Sequence, residues 1–340
     1  MPEAADNPVQ VDVHEELAVD LLIVGAGPAG LYGAYYAGFR GLSVAVMDSL
    51  TEPGGQVAAL YPEKLIFDVA GFPAVKGQVL IDNLVEQAAE AKPRYLLGHR
   101  AEDLVHDGED ILVTSHRGTR VRCKAVVITG GIGTFTPRPL PDAEQFEGRG
   151  LFYFVPKLEV MRDLDLLIVG GGDSAFDWAQ NLEPIAGSIT LIHRRDRFRA
   201  HEHTVNQVLA STVDVLTFHE VASIAGDAGG ITSVEIFDNR TDERRTLAVQ
   251  AVVAALGFTA DLGPLQRWGL QLKRRSIEVT TDMSTNLPRI FAAGDITEYP
   301  GKVRLISVGF GEVATAVNNA TTAINPDAKL FPGHSSGGAG

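Results

Sequence analysis

Two sets of glycines in this 340-residue chain have the spacing needed to hold a dinucleotide. They are Gly25-Ala26-Gly27-Pro28-Ala29-Gly30 and Gly170-Gly171-Gly172-Asp173-Ser174-Ala175. Each follows a short apolar run and opens a helical pattern, the strand–G-x-G-x-x-G/A–helix arrangement. The first glycine permits a tight turn, and the second lets backbone amides approach a pyrophosphate. The third small residue lets helix and strand close up. The diphosphate then meets the positive end of a helix. One such set is weak evidence, but here the lead-in strand is duplicated too. Asp20-Leu21-Leu22-Ile23-Val24-Gly25 recurs letter for letter as Asp165-Leu166-Leu167-Ile168-Val169-Gly170.

The second strand of each unit decides which nucleotide it takes, because that strand ends at the residue that meets the adenosine ribose. In the first unit it runs from Leu42 to Met47 and ends at Asp48, and an acid there accepts hydrogen bonds from free ribose hydroxyls. In the second it runs from Ile189 to Ile192 and ends at His193-Arg194-Arg195, with Arg199 close behind. Guanidinium groups match a 2′-phosphate in charge and in fork geometry. A solvated basic run is the plainer reading, but this run falls where the fingerprint needs it. One unit suited to an unphosphorylated ribose and one to a 2′-phosphate imply FAD plus NADPH.

The elements that position these residues define an α/β chain with two Rossmann-like domains. Lys and Arg number 29 against 43 Asp and Glu, and the net charge of −14 opposes nucleic acid or an anionic membrane as a partner. No apolar run is long enough to span a bilayer, and the acidic start lacks the basic and apolar parts of a signal peptide. The expected location is the cytoplasm. Cys123 is the single cysteine, so no internal disulfide can form, and its place before an apolar run reads as packing. His201 and His203 lack a third ligand at metal spacing, so no metal site is expected.

Further segments resemble the thioredoxin-reductase-like flavoproteins over nearly the whole chain. They are Gly54-Gly55-Gln56, Val126-Val127-Ile128-Thr129-Gly130 and Ala292-Ala293-Gly294-Asp295. The redox Cys-x-x-Cys of thioredoxin reductases is missing, because the stretch before the second fingerprint reads Leu151-Phe152-Tyr153-Phe154-Val155-Pro156-Lys157. Electrons must therefore leave the flavin directly. Within that group the chain is similar to the ferredoxin–NADP reductases of thioredoxin-reductase type. The matching segments include Ala59 to Lys64, Asp68 to Pro73, Gly172 to Ala179, Arg199 to His203, Ala314 to Ala320 and Pro332 to Ser336.

The resemblance implies that the NADPH domain is inserted in the FAD domain. The FAD domain would take 1–131 and 257–330, the NADPH domain 132–256, and 331–340 would form a C-terminal tail near the flavin. It implies FAD contacts at Gly25, Gly27, Pro28, Ala29, Gly30, Asp48, Gly55, Gln56, Tyr61, Ala101, Phe135, Asp295 and Ser336. Asp48 stands where many relatives have glutamate, which shortens its reach. Tyr61 and His334 would stack on the flavin ring, although Tyr61 also reads as a packed loop aromatic. Composition alone makes the Ser335 to Gly340 tail flexible. NADPH would meet Gly170, Gly172, Asp173, Ser174, Ala175, His193, Arg194, Arg195 and Arg199. A helix beginning near Gly311-Glu312 would point its N-terminus at the flavin.

The implied activity is hydride transfer from NADPH to FAD and single-electron transfer to ferredoxin or flavodoxin, or the reverse, by a homodimer. The alternatives are an NADPH oxidase or quinone reductase on the same fold, and a non-catalytic flavin-binding regulator. An acidic electron carrier would need a local basic patch on this acidic chain. Lys302-Arg304 and Lys273-Arg274-Arg275 are the runs that offer one, and each also fits a solvated face.

Overall fold

The duplicated Asp-Leu-Leu-Ile-Val run is apolar without alternation because it forms a strand buried on both faces. In the computed structural model, which describes residues 16–131, 133–155 and 157–333, both copies sit at the centre of five-stranded parallel sheets. The first sheet runs in the order Ile290–Ala292, Ala125–Ile128, Leu21–Val24, Val44–Asp48, Arg94–Leu97. The second runs Leu151–Phe152, Ala251–Ala254, Asp165–Val169, Ser188–His193, Asp214–Thr217. The same register recurs in each, with Val24 opposite Met47 and Val169 opposite Ile192.

Even the leading aspartate is used twice in the same way. Asp20 accepts the Ser43 N–H at 2.8 Å and its hydroxyl at 2.6 Å, while Asp165 accepts the Ser188 hydroxyl at 2.6 Å. Each bond pins the start of the central strand to its neighbour and so sets the register that carries Asp48 and His193 to matching places.

The chain divides into two units. One takes the chain up to Thr134 and again from Ala260 onward, and the other is Phe135–Thr259. The crossing strands, Thr134–Pro137 and Phe258–Asp261, pair with each other.

In the first unit, helices Pro28–Phe39, Gly77–Ala89 and Ile306–Ile324 pack side by side. A four-stranded sheet built on Ala101–Asp107, Asp110–Ser115 and Arg120–Cys123, with Leu17–Ala18 at its edge, packs onto strands Leu21–Val24 and Ala125–Ile128. Cys123 is buried there, and its thiol donates to the Ile111 carbonyl at 3.6 Å. Burial pushes that thiol up to about 12, which makes it a packing group.

In the second unit, Leu166 and Ile168 face a core shared with helix Asp173–Leu182. Leu167 and Val169 face the core beneath the antiparallel strands His219–Asp227, Gly230–Asp238 and Arg244–Ala248. Alternate residues of one strand thus feed two cores. Among the described residues, no helix is long and apolar enough to cross a membrane and no His, Cys, Asp and Glu cluster could hold a metal.

Candidate cofactor sites

The first glycine turn is the tightest place in its unit. Gly25 has φ +117°, and a Cβ there would lie 2.5 Å from the Thr129 carbonyl oxygen. A Cβ on Gly30 would come within 1.9 Å of the Gly25 carbonyl oxygen. Thr129 locks this turn by donating its hydroxyl to Gly25 O at 2.8 Å. At Gly27, by contrast, a Cβ would meet nothing within 4 Å.

Open space therefore lies before helix Pro28–Phe39, which begins at Gly27 without a side-chain cap. Pro28 has no N–H, and the amides of Ala29 and Gly30 have no acceptor among the described residues. Uncapped amides facing space at a helix start suit an anion. Asp48, at the end of its strand, accepts the Ala26 N–H at 2.6 Å and the Leu50 N–H at 2.8 Å. Burial raises its carboxyl above the usual range against the pull of those amides. The segment after strand Arg94–Leu97 returns to the same spot, with the His99 N–H on Asp48 O at 2.8 Å. Ala101 lies two residues further on and is buried.

Three other thin-backbone segments converge on that turn. Gly54 donates to Ala26 O at 2.8 Å, and a Cβ on Gly55 would touch the Gly27 Cα at 2.9 Å. The Gln56 amide lies against Gly131, 2.7 Å from where a Cβ would stand. Gly294, with φ +83°, and Gly309 each lie within 3.6 Å of the Ala29 methyl, measured from their ideal Cβ positions. So the Asp295 turn and the start of helix Ile306–Ile324 meet the first fingerprint.

That helix begins at Ile306, five residues before the Gly311 expected from the sequence. Gly309 and Gly311 lie inside it, and Gly309 serves the close approach to Gly294. The Asp295 carboxyl is half-buried and has no hydrogen-bond donor among the described residues. Burial pushes it up, Lys302 and Arg304 hold it down, and Glu312 pushes it up again. Tyr61 ends helix Gly55–Leu60. Its hydroxyl is pushed up to about 12 by burial first, then by Asp295 and Asp68. Tyr61, Asp68 and Asp295 thus share one electrostatic neighbourhood. An elongated group with a diphosphate, ribose hydroxyls and a hydroxylated chain fits this run of amides and carboxylates. FAD has those parts.

The second turn is built more openly. A Cβ on Gly170 would meet Ala255 O at 2.4 Å, and on Gly171 it would strike the His193 ring at 2.4 Å. At Gly172 it would meet nothing, and this residue starts helix Asp173–Leu182 without a side-chain cap. The amides of Asp173 and Ser174 have no acceptor among the described residues. Ala175, at the third small position, is fully buried.

The arginine loop is stapled back onto this turn. The Arg199 N–H donates to Gly171 O at 2.7 Å, and the His201 N–H donates to the Asp173 carboxylate at 2.9 Å. Burial lowers the His193 imidazole first, a hydrogen bond with the Arg197 backbone raises it, and Arg194, Arg195 and Arg199 lower it further, so the three cations stand near this ring. All three are exposed, and among the described residues no carboxylate pairs with them. Unpaired guanidiniums beside an uncapped helix start fit the 2′-phosphate and diphosphate of NADPH.

Three expected residues cannot be placed. His334 and Ser336 lie outside the described residues, as does the side chain of Phe135. The structure also corrects the basic patches. Lys302 is buried against Glu312, and Arg304 turns to Glu298 and Ser276 but stays exposed, so this run presents one surface cation rather than two. Lys273 reaches Glu298 at 3.6 Å, which leaves Arg274 and Arg275 exposed. Sequence reasoning does not single out Thr129, Gly171, Lys302 or Glu312 as site residues. The first two stand inside the glycine and crossing motifs, while the Lys302–Glu312 pairing has no signal in spacing.

The family profile described as "Pyridine nucleotide-disulphide oxidoreductase" matches residues 19–323. A ferredoxin–NADP reductase of Frankia alni is 65% identical over 317 residues, covering 93% of this chain and 98% of that protein. One from Salinispora arenicola is 62% identical, covering 94% and 99%. Among solved structures, T. acidophilum thioredoxin reductase has a TM-score of 0.76 at 24% identity, covering 90% of this chain and 99% of that one, which shows the fold. With one cysteine, this chain lacks a redox cysteine pair. The chain belongs to the pyridine nucleotide-disulphide oxidoreductase family, and within it to the ferredoxin–NADP reductases.

Proposed function

We propose that the first unit keeps FAD, that the inserted unit presents NADPH, and that the electrons leave one at a time to ferredoxin. The observation that carries this reading is the pair of matched turns with opposite endings, Asp48 in one and Arg194, Arg195 and Arg199 in the other. FAD, when bound, accepts a hydride and can release electrons singly.

The chain's own groups do the rest. Ala29 and Gly30 would donate to the diphosphate, Asp48 would accept from the adenosine ribose, and Asp295 would accept from the ribityl chain. Tyr61 would cover one face of the ring, and the tail with His334 and Ser336 would approach the other. Asp173 and Ser174 amides would take the NADPH diphosphate and the three arginines its 2′-phosphate. No side chain needs to act as general acid or base, and the Cys123 thiol is too deeply buried to take part.

Ferredoxin as acceptor follows the names of the relatives, and flavodoxin would serve by the same single-electron chemistry. We also propose a cytoplasmic homodimer, on resemblance and composition alone. The test is anaerobic stopped-flow reduction by NADPH and by NADH, followed by a panel of acceptors that includes the host's ferredoxin. Rapid bleaching by NADPH with fast reoxidation by ferredoxin is expected. Fast reoxidation only by oxygen or quinones would favour the oxidase or quinone-reductase reading, and a flavin that NADPH never bleaches would leave a binding protein.

A further inference from the structure

Lys302 and Glu312 form the most deeply buried ion pair among the described residues, with side chains 3% and 5% exposed. Taking two charges out of water is costly unless each is fully engaged, and an apolar pair of the same volume stabilises a fold as well or better. The use of this pair lies in where its bonds go. Glu312 Oε1 accepts from Lys302 Nζ at 2.5 Å and from the Tyr299 hydroxyl at 2.6 Å, while Oε2 accepts the Gly294 N–H at 2.7 Å. Lys302 Nζ also donates to Gly294 O at 3.0 Å, beside the Thr297 hydroxyl on the same oxygen at 2.8 Å. Both polar groups of Gly294 are therefore gripped, at a residue whose φ of +83° only glycine holds easily. The next residue is Asp295, whose carboxyl no donor among the described residues orients.

We propose that Lys302, Glu312 and Tyr299 are positioning residues that hold the Gly294 turn so that the Asp295 carboxylate faces the ribityl chain of FAD. The inference rests on the role given to Asp295 above. The pair reaches that side chain through the backbone, and the compensating charges let a carboxylate sit nearby without a second uncompensated anion. Tyr299 completes the set by occupying the remaining position on Glu312 Oε1, with its ring 5.5 Å from Lys302 Nζ.

The test compares FAD release from the holoenzyme and the shape of its visible flavin band. The variants are Asp295→Asn, the double variant Lys302→Met/Glu312→Gln, and the triple variant. Asp295→Asn is expected to release FAD about tenfold faster, the loss of one charge-assisted bond. The double variant should match it within about threefold and show the same change of band shape. The triple variant should be no faster than Asp295→Asn, because both changes act through one carboxylate.

Wild-type release and spectrum in the double variant would overturn the proposal, as would effects that multiply in the triple variant. Unchanged release in Asp295→Asn alone would instead remove the role of Asp295, and the proposal with it. If the double variant does not fold, Tyr299→Phe removes a single bond and leaves both charges. A two- to threefold faster release with the altered band supports the proposal, and wild-type behaviour in both readouts counts against it.

Discussion

The first unit finishes its nucleotide turn inward and the second finishes outward. Asp48 is drawn into its unit by two backbone amides, and glycines from three other segments close on the turn beside it. Arg194, Arg195 and Arg199 stand in solvent with no carboxylate partner among the described residues, around a turn whose other close neighbours are Ala255 and the His193 ring. The central strand and its register are the same in both, so the difference lies in the residues just past the second strand and in the segments that close on the first turn. An enclosed turn suits a group kept through every cycle, and an exposed one suits a group exchanged each cycle.

The sharpest test of that contrast is at the third small position. Ala175 is native to the second turn, yet at Gly30 a methyl would fall 1.9 Å from a backbone oxygen that cannot move aside. Gly30→Ala is expected to cost more than about 3 kcal/mol and to yield protein without FAD. A stable, yellow Gly30→Ala protein, judged by thermal melting and absorbance, would show that the first turn is no tighter than the second.

Next in size is Arg194→Ala with Arg195→Ala. Losing charge-assisted bonds worth about 2–4 kcal/mol should raise KM for NADPH by roughly 30- to 1,000-fold, with little change for NADH. FAD content and melting temperature should stay put, because these side chains hold nothing in the fold. Equal losses for both nucleotides in steady-state kinetics would mean that the run supports the loop rather than reading a phosphate.

Gly172→Ala should separate folding from binding. Its φ of −102° is open to any residue and a methyl there meets no protein atom, so stability should fall by less than about 1 kcal/mol. The methyl would stand where the diphosphate must pass, so KM for NADPH should rise about tenfold. Normal NADPH kinetics would show that the space before this helix is not the nucleotide path.

The smallest effect belongs to Cys123. Its buried thiol, pushed up to about 12, should not react with a disulfide reagent in native protein. Cys123→Ser should leave ferredoxin reduction unchanged and cost about 1–2 kcal/mol in a denaturant titration. Loss of activity in a folded, FAD-loaded variant would reveal a redox thiol.

Much of this architecture is legible in the sequence because it is local. The duplicated strand, the glycine spacings and the residues Asp48 and His193 all come from positions along one strand–turn–helix unit. The features that escape such a reading depend on distant partners. Helix Ile306–Ile324 starts earlier than the sequence suggests because two glycines, poor helix formers, lie in its first two turns, Gly309 for the sake of contact with Gly294. Lys302 reads as a surface charge because nothing in its neighbourhood announces that Tyr299 and Glu312 fold over it. Gly171 looks like one glycine among three until the His193 ring is found where its side chain would be.

The insertion also has a consequence for how the chain is made. Identical central strands in one polypeptide can each seek the other's neighbours, a hazard for mispairing. The inserted unit is contiguous and can fold once Thr259 has been synthesised. The outer unit must wait for strand Ile290–Ala292 and helix Ile306–Ile324 before its sheet and its helical layer are complete. By then four of the five strands of the first sheet and all five of the second have been made in separate stretches of chain, an order of synthesis that would favour each twin strand pairing with its own neighbours.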